Sequence, residues 1–202
     1  MEEKYKLNLM PYQWDAFNGD TFVQKEFLRL KEIFSIKTAV ELGTCLGSTA
    51  IWMARNFDNV ITIEINPEFA GIANERFVHY GVDNIKLKIG DTVAELPNAI
   101  HEIGDNSIWM IDSHWYDVCP MLQELKIIAN RGIKPVIVIH DFKVPDEPNL
   151  GFDSIHGQAF EFEWIKPSLD AIYGEGNYDY YYNSDATSTE IKRGVIYITP
   201  SK

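Results

Sequence analysis

The chain has 202 residues, of which 46% are hydrophobic and 24% are charged, and its 18 lysines and arginines face 30 acids, giving a net charge of −12 at pH 7. This length and composition predict one globular domain that can bury a core without disulfides or structural metals. The acidic balance argues against DNA, RNA or an anionic membrane as partner, because those ligands require clustered Lys and Arg. A cationic or metal-bridged ligand fits it better.

The cysteines and the first residues bear on the cellular compartment. Cys45 and Cys119 lie in different sequence contexts, so they predict neither a disulfide framework nor a metal-binding pair. The first residues lack a continuous apolar run, and no stretch approaches the ~18 apolar residues of a membrane span. We therefore expect a cytoplasmic protein without a membrane partner.

Short apolar runs alternate with helical patterns along most of the chain. The predicted strands cover 38–42, 60–63, 85–89, 108–111 and 136–139. Several are apolar on both faces, as strands buried between two layers of helices must be. The helices predicted between them cover 48–56, 67–80, 92–103 and 119–130. This alternation indicates right-handed βαβ units and a parallel sheet.

The last part of the chain departs from this pattern. Residues 143–158 carry two prolines, two glycines and several acids, which predict a long loop of the kind that covers binding sites. A helix is predicted from 159 to 173, followed by strands at 178–182 and 194–198. The predicted fold class is α/β, a Rossmann-like doubly wound sheet of seven strands, mostly parallel with an antiparallel C-terminal edge strand.

The loop after the first predicted strand is a candidate ligand site, because ligands of open parallel sheets bind beyond the carboxyl ends of the strands. Gly43 and Gly47 allow a tight turn and a close approach to a ligand, and the next helix offers N–H groups to a carboxylate. A nicotinamide-cofactor motif requires GxGxxG, but Cys45 and Ser48 occupy the second and third glycine positions. A nicotinamide oxidoreductase is therefore disfavoured.

An acid follows the second predicted strand. Glu64 stands where a ribose diol would lie, and the apolar Ile65 stands where an adenine face would lie. A carboxylate can accept hydrogen bonds from both hydroxyls of a diol. Taken alone, Glu64 is typical of a solvated charge at a strand end. The glycine pair, taken alone, is typical of a turn. Together, within one βαβ unit, they indicate a nucleoside ligand.

The runs 40–50 and 63–69 resemble class I S-adenosylmethionine-dependent methyltransferases, particularly the catechol O-methyltransferase type and its bacterial small-molecule relatives. The resemblance covers roughly residues 38–142 and implies a cofactor with a sulfonium cation, which fits acidic surroundings. The implied cofactor-binding residues are Glu41, Gly43 and Gly47 at the methionine end, Ser48 or Thr49 near the carboxylate, Glu64 at the ribose with Ile65 beside it, Asp91 or Thr92 at the adenine, Asp112, and Trp115. For Trp115, packing at the rim of the site is the alternative to packing along the adenine edge.

Polar residues also close the fourth and fifth predicted strands. Asp112 follows the fourth strand, and His140 and Asp141 follow the fifth, so the three are expected to converge near the methyl group of the cofactor. Two carboxylates and an imidazole suit Mg²⁺, Mn²⁺ or Fe²⁺. Catechol-type enzymes have acids and an amide at the matching positions, so His140 departs from the family pattern. Alternatives are a capping role for Asp112 and a structural role for His140.

Methyl transfer from a sulfonium requires an aligned and activated nucleophile. The candidate catalytic residues are His114, Asp112 and Lys143. Of these, His114 and Lys143 are candidate general bases, chosen by position and titration range. Catechol-type relatives have a lysine soon after Asp-His-Trp, but here Trp115 is followed by Tyr116 and Asp117. His114 is equally well explained as a satisfied surface histidine.

Together these observations predict an S-adenosylmethionine-dependent O-methyltransferase that acts on a small hydroxylated molecule, such as a sugar, a phenol or a secondary metabolite, with help from a divalent metal. The predicted single domain, 1–202, comprises an N-terminal helical substrate segment (1–36), a cofactor-binding core (37–142), an active-site loop (143–158) and a C-terminal helix with strands (159–202). The substrate is expected under residues 12–17 and the loop. A metal-independent N- or C-methyltransferase, a cofactor-binding protein without catalysis, and a homo-oligomer remain open.

Overall fold

The structure is a computed structural model that describes residues 15–115, 117–186 and 192–201. The described residues form a seven-stranded sheet in the order β3-β2-β1-β4-β5-β9-β8. Its strands are β1 (Thr38–Leu42), β2 (Asn59–Glu64), β3 (Ile85–Ile89), β4 (Ser107–Ile111), β5 (Val136–Ile139), β8 (Tyr178–Tyr182) and β9 (Ile196–Pro200). The helices are α1 (Thr21–Phe34), α2 (Ser48–Asn56), α3 (Pro67–His79), α4 (Thr92–Ala99), α5 (Met121–Arg131) and α6 (Phe162–Tyr173).

The core lies in two layers, one on each face of the sheet. Val40 and Trp109 belong to the layer under α4, α5 and α6, and Ala39 and Ile108 belong to the layer under α1, α2 and α3. Neighbouring residues of one strand thus point into different layers, because side chains alternate across a strand. This explains why these strands are apolar on both faces, as the sequence pattern predicted.

Capping residues fix where two of the helices begin, directly after the loops that follow β2 and β3. Asn66 accepts backbone N–H bonds from Glu68 and Phe69, and Pro67 is the first residue of α3. Asp91 accepts N–H bonds from Val93 and Ala94 at the start of α4. These side chains satisfy N–H groups that lack partners within the helix.

The predicted topology is confirmed. β1 to β5 pair in parallel, β9 pairs antiparallel with β5, and β8 pairs antiparallel with β9 at the edge of the sheet. The bounds of β1, β3, β5, β8 and α2 are those predicted, and the other predicted elements differ by one to four residues. The largest shift is at α4, which ends at Ala99 rather than at residue 103 and is followed by a 3₁₀ turn over Ile100–Glu102, and α6 begins at Phe162 rather than at residue 159.

The segment predicted as a continuous loop over 143–158 contains a short hairpin, formed by β6 (Ser154–Ile155) and β7 (Gln158–Ala159). His156 and Gly157 form its turn with φ values of 49° and 83°, as a tight two-residue hairpin turn requires. Strands of two residues are too short to show a periodic pattern, which is why the sequence did not reveal them. Below the hairpin, Asp153 donates its N–H to the Asp141 carbonyl at 2.9 Å, so the segment is fastened to the end of β5.

Across the described ranges, no helix is both long enough and apolar enough to cross a membrane.

Candidate active site

A cleft of about 910 Å³ opens at the carboxyl ends of the parallel strands. It brings together most of the residues selected from the sequence: Glu41, Gly43, Ser48, Thr49, Glu64, Ile65, Asp91, Thr92, Asp112, His114, Trp115, His140 and Asp141. The order of the strands explains this convergence, because β4 and β2 flank β1 and β5 follows β4. The described lining does not include Gly47 or Lys143.

Both glycines of the loop after β1 are needed for close packing. A Cβ on Gly43, whose φ is 98°, would stand 2.4 Å from the Asp112 carbonyl oxygen. A Cβ on Gly47, whose φ is 75°, would stand 2.6 Å from the Phe77 ring. Gly43 therefore keeps the floor of the cleft close to β4, whereas Gly47 begins α2 and packs against α3 behind the cleft.

Glu64 is buried in the cleft wall, not solvated. Its Oε2 accepts the Cys45 N–H at 2.7 Å and its Oε1 accepts the Asn66 N–H at 2.8 Å. Burial raises the pKa of Glu64, while these backbone bonds lower it in part. A carboxylate has about four acceptor sites, so both oxygens still have capacity for a diol.

Glu41 is a second buried acid, at the end of β1. Thr62 donates its hydroxyl to Glu41 Oε2 at 2.6 Å. Burial raises the pKa of Glu41 to about 8, and the nearby charges of Asp112 and Glu64 add to the rise. The carboxyl is therefore mostly protonated at neutral pH, and a cation in the cleft would favour its ionised form.

The two hydroxyls at the start of α2 each have a partner. Ser48 Oγ accepts from Arg76 Nη1 at 2.9 Å, and the same guanidinium nitrogen donates to the Leu46 carbonyl at 2.5 Å. Thr49 Oγ1 accepts the Phe17 N–H at 2.9 Å. Arg76 was missed in the sequence because it lies on α3, yet its buried positive charge stands beside the loop.

At the opposite end of the cleft, two hydroxyls meet one buried carboxylate. Ser113 donates to Glu124 Oε1 at 2.7 Å, and Thr92 donates to the same oxygen. Burial raises the pKa of Glu124 to about 7. The sequence signal for this acid was its place on the apolar face of α5, three residues after the buried Met121 and four before the buried Ile128.

The side chains of Asp112, His140 and Asp141 form one cluster, with a ligand atom of each within 4.8 Å of the others. His140 Nδ1 lies 3.7 Å from Asp112 Oδ2 and 3.3 Å from Asp141 Oδ1. The buried His140 Nδ1 makes no hydrogen bond among the described residues, whereas the buried Asp141 Oδ1 has an ion-pair contact with Arg193 Nε at 3.1 Å. Asp141 has a φ of 56°, a left-handed conformation that is uncommon for residues other than glycine and recurs at functional sites.

The charges of this cluster shift one another. Burial raises the pKa of Asp112 to about 6. Burial alone would lower the pKa of His140, but the carboxylates of Asp141 and Asp112 raise it to about 9. Burial would raise the pKa of Asp141, yet His140, His114 and Arg193 hold it well below its usual range.

His114 belongs to a closed ring of four charged groups. Its Nε2 lies 3.2 Å from Asp141 Oδ2 and 3.1 Å from Asp153 Oδ2. On the far side, Arg193 contacts Asp141 Oδ1 at 3.1 Å and Asp153 Oδ1 at 2.8 Å. Burial opposes protonation of His114, but these carboxylates raise its pKa to about 9. The sequence did not reveal Asp153 or Arg193, because the ring joins four segments that are distant along the chain.

Lys143, Trp115 and the N-terminal segment differ in how they lie relative to the cleft. The Lys143 ammonium pairs with Glu161 at 2.8 Å on the surface, so its position does not suit a general base for a reaction in the cleft. Trp115 has 61% of its surface exposed, which agrees with the alternative that it packs at the rim of the site. Of the N-terminal substrate segment, Phe17 lines the cleft, while residues 12–14 lie outside the described residues, as does Tyr116.

No protein-family model matches the chain. The chain is 30% identical over 132 residues to a catechol O-methyltransferase from Niastella koreensis, covering 61% of this chain and 60% of that protein. It is also 30% identical over 82 residues to a protein-L-isoaspartate O-methyltransferase from a Polaromonas species, covering 41% of this chain and 35% of that protein. The chain thus spans less than two thirds of the length of either relative.

Solved structures establish the fold. An O-methyltransferase from Bacillus cereus, in complex with SAH (S-adenosylhomocysteine), matches with a TM-score of 0.65 at 18% identity over 89% of this chain and 81% of that one. An O-methyltransferase from Streptomyces achromogenes, in complex with S-adenosylmethionine, matches with a TM-score of 0.63 at 16% identity over 100% of this chain and 86% of that one. These structural similarities confirm the class I methyltransferase fold, and the similarity to the Niastella catechol O-methyltransferase agrees with the resemblance that the motifs indicated.

Proposed function

We propose that the chain is an S-adenosylmethionine-dependent O-methyltransferase that transfers a methyl group to a hydroxyl of a small molecule. The observation that carries this proposal is the single cleft that contains Glu64, at the ribose position of the fold, together with the cluster of Asp112, His140 and Asp141. The proposal is supported by the similarity to the Niastella catechol O-methyltransferase. It is supported further by the Bacillus and Streptomyces structures, which share the fold and contain SAH or S-adenosylmethionine.

In this proposal the cofactor lies along the ends of β1, β2 and β4. Glu64 accepts the ribose hydroxyls, and Ile65, with 63% of its surface exposed, offers an apolar face to the adenine. Ser48 and the N–H groups at the start of α2 hold the carboxylate of the methionine group, with the positive charge of Arg76 behind them. Glu41 then lies toward the charged end of the cofactor.

The residues of the metal cluster fit a divalent ion. Asp112, His140 and Asp141 would hold it, since one ligand atom of each lies within 4.8 Å of the others and the buried His140 Nδ1 makes no hydrogen bond within the described residues. When bound, such an ion lowers the pKa of an acceptor hydroxyl and orients it. The imidazole in the set is compatible with Mn²⁺ or Fe²⁺ as well as Mg²⁺.

The chain's own residues complete the acceptor end. His114 Nε2 lies between Asp141 and Asp153, and with a pKa of about 9 the ring is protonated at neutral pH. It can receive the proton of an acceptor hydroxyl only when positive charge at the cluster lowers that pKa. Phe160 packs edge-on against the His114 ring, with 4.9 Å between ring centroids, and keeps water from one side of it. The hairpin segment supplies Phe152 and Ile155 to the same part of the cleft.

Calorimetry with SAH tests the cofactor site. Unmodified protein is expected to bind SAH, and Glu64→Ala to bind it at least about 10-fold more weakly, since hydrogen bonds to a charged group contribute about 1.5–3 kcal/mol each. Glu68→Ala, which removes an exposed acid on the following helix, is the matched control and should bind normally. No binding to the unmodified protein, or full affinity in Glu64→Ala, would refute the site.

One observation favours a metal-independent methyltransferase as the second candidate. Arg193 already contacts Asp141 and Asp153, so part of the negative charge of the cluster is balanced within the chain. A substrate screen that reads SAH release, with and without divalent ions, separates the two candidates. Activity that survives both exhaustive chelation and the Asp141→Asn substitution would favour the metal-independent reaction. Cofactor binding without turnover of any hydroxyl or amine acceptor would indicate a protein without catalysis.

A further inference from the structure

The adenine end of the cleft contains a buried carboxylate for which the proposed reaction has no direct use. Glu124, on α5, has 0% of its surface exposed. Its Oε1 accepts two hydroxyl hydrogen bonds, whereas its buried Oε2 has no hydrogen-bond partner in the described part of the chain. Burying an ionisable group in this way costs free energy, so an apolar residue would stabilise the fold better at this position. The presence of Glu124 there points to a function.

Two hydroxyls connect Glu124 to the cleft. Thr92 follows β3, Ser113 follows β4, and both line the cleft. A hydroxyl has one proton and two lone pairs, and each of these hydroxyls gives its proton to Glu124 Oε1. Their oxygens therefore turn only lone pairs toward the cleft. These two hydroxyls can therefore accept hydrogen bonds from a ligand but not donate to it while both protons are given to Glu124.

We propose that Glu124 is a positioning residue that fixes the hydroxyls of Thr92 and Ser113 as acceptors for an exocyclic amino group, and so selects adenine over hypoxanthine. The inference rests on the proposed function, which places the adenosyl group at this end of the cleft. Adenine presents an amino donor where hypoxanthine presents a carbonyl acceptor. In the unmodified protein that carbonyl would face lone pairs, because each hydroxyl gives its proton to Glu124 Oε1 and would lose that hydrogen bond by turning toward the ligand.

The experiment compares SAH with its deaminated analogue, S-inosylhomocysteine, by calorimetry. The unmodified protein should prefer SAH by roughly 10- to 100-fold, the range expected when a polar wall built for a donor meets an acceptor. Glu124→Gln keeps an acceptor oxygen and should retain most of this preference. Glu124→Met has similar length but no acceptor, so both hydroxyls can rotate and donate to the carbonyl, and the preference should fall to within about 3-fold. Glu163→Gln, on the exposed face of α6, is the control.

The ratio of the two affinities distinguishes positioning from a merely structural role, which would weaken both ligands alike. If Glu124→Met does not fold, the double variant Thr92→Val/Ser113→Ala tests the two acceptors that Glu124 orients, because it removes both hydroxyls and leaves the carboxyl in place. Its loss of preference supports the proposal. Equal affinity of the unmodified protein for both ligands, or a full preference in Glu124→Met or the double variant, overturns it. Failure of the unmodified protein to bind either ligand refutes the proposed function and this inference with it.

Discussion

Binding of S-adenosylmethionine should release a proton from Glu41. With a pKa of about 8, this carboxyl is about 90% protonated at pH 7 in the free protein. If the sulfonium charge stands roughly 6 Å from this carboxyl, at an effective dielectric constant of about 20, it favours the ionised form by about 3 kcal/mol, or about two pKa units. The pKa would then fall to near 6, and about 0.8 proton would leave at pH 7.

Calorimetry in buffers of different ionisation enthalpy measures this release, because the observed binding enthalpy varies linearly with the buffer enthalpy and the slope gives the number of protons. The slope should be largest for S-adenosylmethionine and clearly smaller for SAH, which lacks the sulfonium charge. Glu41→Gln should abolish the difference between the two ligands. Asp112 and Glu64 face the same carboxyl, so Glu64→Gln, which keeps Glu41, serves as a comparison and should retain most of the difference. Equal slopes for both ligands in the unmodified protein would refute the reasoning.

Three further predictions concern glycine, arginine and pH. Gly43→Ala should lower the free energy of unfolding, measured with denaturant, by more than about 3 kcal/mol, since its Cβ would strike the Asp112 carbonyl. Gly81→Ala, also at positive φ but with open space around it, should lower it by about 1 kcal/mol. Equal losses in the two variants would contradict this reasoning. Arg76→Met should weaken SAH at least about 5-fold but leave methylthioadenosine, which lacks the carboxylate, unchanged, and weakening of both would indicate a structural role. Thermal stability of the ligand-free protein should fall as the pH rises from about 4.5 to about 8, because the raised pKa of Glu41 means that the folded state holds its proton more tightly than the unfolded state does. The fall should be less steep in Glu41→Gln, which has no proton to lose.

The sequence was sufficient for the sheet because its information is local. Runs that are apolar on both faces predict buried strands wherever they occur, and the Asn66–Pro67 pair predicts a helix start from the chemistry of two adjacent residues. The same locality explains the site residues that were found. Glu64, Asp112 and Asp141 each lie at a strand end, and parallel strands present these ends at one edge of the sheet.

The residues that the sequence did not reveal act across elements. Arg76 reaches the loop after β1 from α3, and Glu124 reaches two hydroxyls from α5. A helical position facing the core is ordinarily apolar, so a charged residue there is visible as an exception, but its partner depends on how helices pack on the sheet. Arg193 was equally hidden, since it precedes β9 and meets Asp141 only because β9 pairs with β5.

The surplus of acids acquires a physical meaning from their burial. Among the described residues the buried acids are Asp20, Glu41, Glu64, Glu124 and Asp141, and all except Asp20, which caps α1, lie in or directly behind the cleft. Neighbouring carboxylates in a poorly solvated cavity repel one another, so some must be protonated unless positive charge enters. The raised pKa values of Glu41 and Asp112 express this requirement. A sulfonium cofactor and a divalent ion both supply such charge, so binding of either one should lower these pKa values and release protons from the buried acids.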